Sequence, residues 1–241
     1  MAKKKRGKPK PEPKPTRPSK PASLDLAQFK SLEDAFLKVE PGQRYLDVGK
    51  ALLPHAERLP LTLPVLFWFS MVTRAQGLHD AIAREIANAN PHAVFPLIRA
   101  YVESVLHVIY VADHPEYVAA LIDRPRNSTG GQPKRKSIQA LIAYARTHAP
   151  GMKDVYAKLS EATHFGSIAM WAPMTPEEDG HFSWASSPRW RSDEQALIAC
   201  AQTLELADAM TYLLRRFAER HVLPSRDAGD SDDSDDGGPA G

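Results

Sequence analysis

Between Pro91 and Pro115 the chain reads PHAVFPLIRAYVESVLHVIYVADHP, its most continuously apolar segment. At 3.6 residues per turn, Arg99, Glu103 and His107 fall at i, i+4 and i+8 and form one narrow polar stripe on an otherwise apolar cylinder. A helix that is apolar nearly all round belongs inside a bundle. Its stripe must then find partners within the fold, because an unpaired buried charge costs several kcal/mol. The segment therefore predicts a helical bundle built around it, with a second polar surface that meets Arg99 and Glu103.

The flanking sequence supplies the other helices. SLEDAFLK opens on a capping Ser31 followed by acidic first-turn residues, the start signal of a helix. A second helical segment runs from Tyr45 to about His55, and a loop follows from Leu59 to Pro64. From Pro64 to Ala89 the pattern is helical, with Leu66, Phe69, Met71, Ala75, Leu78, Ile82 and Ile86 as its apolar positions. Asn90 caps the central helix and Pro91 takes its first position; Pro96 predicts a kink, or a helix that begins there. Short helices follow at Glu116 to Asp123, Ser137 to His148 and Met152 to His164, the first two separated by the basic loop RPRNSTGGQPKRK. A β-hairpin is expected over about 167–187, where SIAMWAPM and HFSWASS flank TPEEDG and the tryptophans Trp171, Trp184 and Trp190 gather. A long final helix spans Ser192 to His221, with Leu197, Ala201, Leu204, Leu214 and Phe217 facing inward. The expected fold class is thus mainly α: one helical bundle over 23–221 with a small β-hairpin insert.

Both ends fall outside that domain by composition. Residues 1–22 hold nine Lys and Arg against Glu12, a net of +8, and residues 222–241 hold Arg226 against six Asp, a net of −5. With a total of +2, the domain between them carries −1. The basic character of the chain therefore sits in a disordered Lys/Pro tail. Lys3, Lys4, Lys5, Arg6, Lys8 and Lys10 are its candidate nucleic-acid-binding residues, through phosphate neutralisation. The single cysteine, Cys200, cannot form an internal disulfide and fits a reducing compartment. No signal peptide is read, Leu63 to Val72 is too short to span a bilayer, and the Pro91 helix would place Arg99 and Glu103 at its middle. A soluble cytoplasmic protein without membrane attachment is expected.

The candidate chemistry lies on two helices. Arg99 and Glu103 form one i, i+4 pair, and Ser160 and His164 form another on the amphipathic helix VYAKLSEATHFG, with Tyr156 one turn before Ser160. His164 offers a group titrating near neutral pH for acid–base work beside Ser160 or Tyr156. These segments, LIRAYVESVLHVIYVADHP and VYAKLSEATHFGS, resemble an uncharacterised bacterial all-helical family that pairs an Arg-x-x-x-Glu helix with a Tyr-x-x-Leu-Ser-x-x-x-His helix. The resemblance spans Pro64 to Ser167 and implies that Arg99, Glu103, Tyr156, Ser160 and His164 occupy its signature positions; it brings no activity with it. A looser similarity is to HEPN-like helical ribonucleases and abortive-infection proteins, which implies metal-independent RNA cleavage with Arg99, Ser160 and His164 at the scissile phosphate.

Other patterns carry less. The spacing of Arg followed within a few residues by His occurs at Arg74 with His79 and at Arg215 or Arg216 with His221, no more often than chance supplies. His55, His79-Asp80 and Asp113 follow the ligand order of metal-dependent HD phosphohydrolases, but Ala81, Ile82 and Ile86 carry a helical period straight through them. Glu161-x-x-His164 lacks the second such pair that a di-metal bundle needs. No phosphate-binding loop, nucleophile elbow or Cys/His zinc spacing is present in the sequence, so no metal and no cofactor is expected. The reading is a binding protein whose basic tail takes a polyanion, nucleic acid among the candidates; its rival is a HEPN-like metal-independent ribonuclease or abortive-infection/toxin-type effector, and a metal-dependent HD-type phosphohydrolase ranks below both.

Overall fold

Hydroxyl caps begin four of the helices. In the computed structural model, which describes residues 24–40, 44–50, 54, 59–122, 134–164 and 174–223, Ser31 Oγ accepts from the Asp34 backbone at 3.1 Å and starts α1, Leu32–Val39. A short α2, Arg44–Lys50, follows. Thr62 caps α3, Leu63–Ala87, at 3.5 Å from the Val65 nitrogen. α4 spans Pro91–Asp113 as a single helix that contains Pro96, which leaves one helix rather than two. After a 3-10 turn at Pro115–Tyr117 come α5, Val118–Ile122, and α6, Ile138–Ala145, capped by Ser137. Gly151, at φ 90°, turns the chain into α7, Met152–Thr163. Ser192 caps the last helix, α8, Asp193–His221. The protein is mainly α.

α4 lies at the centre, packed against α3, α6, α7 and α8. Tyr101, Val102, Leu106, Val108 and Val111 on it are fully buried. α8 supplies the facing surface with Ala196, Ala199, Cys200, Thr203, Leu206, Ala207, Met210, Leu214 and Phe217, a helical repeat of three and four. Leu197 and Leu204, expected inside, sit half-buried on its flanks. α3 departs further from expectation. Leu66 and Phe69 point outward at 41% and 46% exposure, whereas Val65, Phe67 and Trp68 face in. The Trp68 indole donates to the Leu214 carbonyl at 2.8 Å, which fixes the rotation of α3's first turns. Asn90 does not cap α4 with its side chain; its amide donates to Glu85 Oε2 at 2.8 Å across the α3–α4 turn.

The hairpin is shorter and shifted. β1, Met174–Pro176, pairs antiparallel with β2, Phe182–Trp184, in the register Met174 opposite Trp184 and Pro176 opposite Phe182. Thr175 and Pro176, expected in the turn, are thus in a strand, and the expected first half of the hairpin lies outside the described residues. So do residues 1–23, the centre of the basic loop, His55, Trp171 and the acidic tail. Trp184 is 70% exposed, whereas the Trp190 indole donates to the Ile86 carbonyl at 3.3 Å.

Two described helices are long and apolar enough to cross a membrane, α4 and α8. The sequence reading weighed only the first.

Candidate functional site

α4 and α7 bring four of the five predicted site residues into one network. Tyr156, 4% exposed, projects from α7 onto α4. Its hydroxyl donates to Glu103 Oε1 at 2.7 Å and accepts from the Arg99 guanidinium, at 3.1 Å from Nε and 2.8 Å from Nη2. Arg99 Nε also reaches Glu103 Oε1 at 3.3 Å. The guanidinium carbon lies 5.0 Å from the Tyr156 ring centre, over its face. At the far edge, Arg99 Nη1 contacts His164 Nε2 at 2.6 Å.

That contact determines a tautomer. Arginine has no acceptor and stays protonated, so His164 Nε2 must present its lone pair. His164 is then neutral, with its proton on Nδ1. It caps the C-terminus of α7, its backbone N–H donating to the Ser160 carbonyl at 3.0 Å, and its ring is exposed. Ser160 stands between Tyr156 and His164 on one line of α7. Its hydroxyl makes no hydrogen bond with any of the four.

The cluster differs from expectation in two respects. Arg99 and Glu103 are 20% and 33% exposed, so they form a rim rather than a sealed clamp. His107 lies outside the network, its Nδ1 donating to the Glu103 backbone carbonyl at 2.7 Å. The pocket of polarity is nevertheless felt by Tyr156. Burial raises its hydroxyl pKa above the ordinary value, the Glu103 carboxylate adds to the rise, and the Arg99 guanidinium opposes it.

The other candidates do not assemble. His79 is buried beside the edge of Tyr45, with ring centres 6.4 Å apart, while Asp80 accepts from Gln76 at 2.6 Å and Asp113 is bound by Tyr144 and Arg220. Among the described residues no group of three or more His, Cys, Asp or Glu side chains could hold a metal. Arg74 is taken by Ser104 at 2.9 Å and Arg216 by Tyr212 at 3.0 Å, while His221 meets the Ala112 carbonyl. Neither close Arg–His spacing makes a pair. The sequence reading also missed a buried polar contact at the top of the bundle, where the Tyr45 and Tyr101 hydroxyls meet and Tyr45 donates to the Ala207 carbonyl at 3.1 Å. Two tyrosines in apolar registers were the available signal.

Comparison of the chain with protein-family models, with curated proteins and with solved structures finds no match in any of the three.

Proposed function

We propose that the protein acts by binding a polyanion, with nucleic acid as the partner class, and that the α4–α7 cluster receives one of its phosphates. The observation that supports this reading is the Arg99–His164 contact. It leaves the Nδ1–H of His164, on an exposed ring, as a donor turned away from Arg99, with Ser160 one turn earlier on the same helix. Both can donate to a phosphate oxygen, and because Glu103 offsets the charge of Arg99 the net positive charge for the polyanion comes from the tail. The basic tail, with Lys3, Lys4, Lys5, Arg6, Lys8 and Lys10, adds sequence-independent affinity.

The test is fluorescence anisotropy of a single-stranded RNA oligonucleotide over a salt series. Replacing those six tail residues by Gln should flatten the log–log salt slope by up to about 4, since each phosphate contact contributes about 0.7 on a single strand. His164→Ala should weaken binding by roughly tenfold, the worth of one charge-assisted hydrogen bond. Unchanged affinity and slope in both variants would sink the reading.

A second reading is metal-independent RNA cleavage, which requires His164 Nε2 to leave Arg99 first, since in the contact that nitrogen accepts from the guanidinium and Nδ1 already holds the ring proton. Released, Nε2 would take the proton of an attacking ribose 2′-hydroxyl as the 5′-oxygen leaves the phosphorus, while Arg99 stabilises the charge on the phosphate oxygens and Ser160 orients the phosphate. Cleavage in the presence of a chelator, lost in His164→Ala, distinguishes it from binding alone.

A further inference from the structure

α4 is buried along most of its length and opens to solvent on one line. From Tyr101 to Val111 every residue but Glu103, His107 and Tyr110 is buried. With Arg99 before them and His114 after, these residues recur every three or four positions, so the line runs for about 22 Å along one face of the helix. The Arg99 cluster occupies its N-terminal end. At its C-terminal end is a shelf of rings. His114 stacks on Tyr110 with centres 4.5 Å apart, Tyr144 from α6 meets Tyr110 edge-on at 4.9 Å, and His148 lies near-parallel to Tyr144 at 6.1 Å. Docking of α6 on α4 accounts for Tyr110 and Tyr144. It does not account for His148, which stands exposed beyond the end of α6. Cations border the shelf: Lys136 Nζ is 5.9 Å from the Tyr110 ring centre, and Lys134 and Arg146, before and after α6 in the chain, are exposed.

We propose that this shelf stacks an unpaired nucleobase on the exposed His148 ring, a base of the same single strand whose phosphate the Arg99 cluster receives; the inference rests on the nucleic-acid reading above and adds a base site to it. Exposed rings interleaved with basic side chains suit a single strand, since every base has a π-face and every linkage a charge. The carboxylates of the shelf decide between base and phosphate. Asp113 accepts from Tyr144 at 2.7 Å and from Arg220 at 3.0 Å, and Glu116 Oε1 stands 3.5 Å from His114 Nδ1. They repel a phosphate, whereas the N–H groups of a base can donate to the lone pairs they have left. The two ends of the line thus divide the strand between them, phosphate at Arg99 and base at His148.

The experiment is fluorescence anisotropy of the full chain with three end-labelled ligands of equal length: a single-stranded RNA, the same strand with abasic residues, and inorganic polyphosphate. The wild type should bind the RNA about tenfold more tightly than the abasic strand, the worth of one stacked base. His148→Ala should abolish that preference and leave both the polyphosphate affinity and the salt slope unchanged. His148→Trp should keep or enlarge the preference, whereas His148→Lys, a cation without a ring, should lose it. Equal affinity of the wild type for the RNA and the abasic strand would overturn the base site and leave the polyanion reading standing; failure to bind any of the three would remove both. A preference that survives in His148→Ala, or that returns with Lys rather than Trp, would also overturn the proposal.

Discussion

Tyr156 is the joint of the cluster, because its one hydroxyl serves both members of the α4 pair. Tyr156→Phe keeps the ring on α4 but leaves Glu103 and Arg99 to each other, at 3.3 Å and partly exposed. The expected loss is about 1–3 kcal/mol in denaturant titration. His164→Ala, at an exposed helix end, should change stability by less than about 0.5 kcal/mol. Together the two variants separate what holds the helices from what faces the partner. A large loss in His164→Ala would make the histidine part of the clamp and undercut its role at the phosphate.

His79 titrates for a different reason. Burial lowers its pKa, and the nearby Arg44 guanidinium lowers it further; Asp80 and the Val39 backbone carbonyl oppose the fall. The Tyr45 ring covers it, and its Nδ1 has no partner. The folded protein thus holds the ring neutral while the unfolded chain takes up a proton near pH 6.5. Folded stability is full above that pH and declines as pH falls through it toward the folded value. Between about pH 7.5 and about pH 5 the melting temperature should drop, and His79→Leu should flatten that part of the curve. An unaltered slope in the variant would assign the drop to other groups.

At the scale of elements, the α3–α4 turn shows how a local rule can be broken and still hold. Ala89 N–H donates to the Ile86 carbonyl at 3.0 Å and Asn90 N–H to the Glu85 carbonyl at 2.9 Å, the paired bonds of a Schellman ending. The residue at its left-handed position is Ala89, at φ 54°, where glycine is usual. Ala89→Gly should therefore stabilise the protein, by about 1 kcal/mol in chemical denaturation. A destabilised variant would mean that the Ala89 methyl group packs usefully enough to outweigh the strain.

What the sequence disclosed of these elements follows the range of the forces involved. Ser31, Ser137 and Ser192 cap within three residues, so their helices were legible from a few letters. Arg99 with Glu103, and Tyr156, Ser160 and His164, were legible as faces because spacing alone sets them. The rotation of α3 was not, since residues 63–69 are apolar on every side and only the distant Leu214 carbonyl selects Trp68 for the interior. The gap between α7 and α8 was not legible either, because it exists only where two helices far apart in the chain both lean on α4.

For the whole molecule, length and hydropathy leave two outcomes for α4 and α8, since both could span a bilayer. Packing favours the bundle. Just over half of the α4 window, 56%, is buried by neighbouring helices, and its Arg99 and Glu103 are matched by Tyr156 and His164 from α7 rather than left to lipid. In α8, 44% of the window is buried, and the surface left open carries Glu205, Asp208 and Arg216. Charges at mid-helix would cost about 2.5–3.5 kcal/mol each in hydrocarbon, whereas water accepts them freely. The expected outcome is a protein that stays monodisperse without detergent in size-exclusion chromatography and unfolds in one cooperative step, with the slowest amide exchange in α4. Release from membranes only with detergent would reverse that assignment, and the α4–α7 cluster would then have to be understood as a polar contact between lipid-embedded helices.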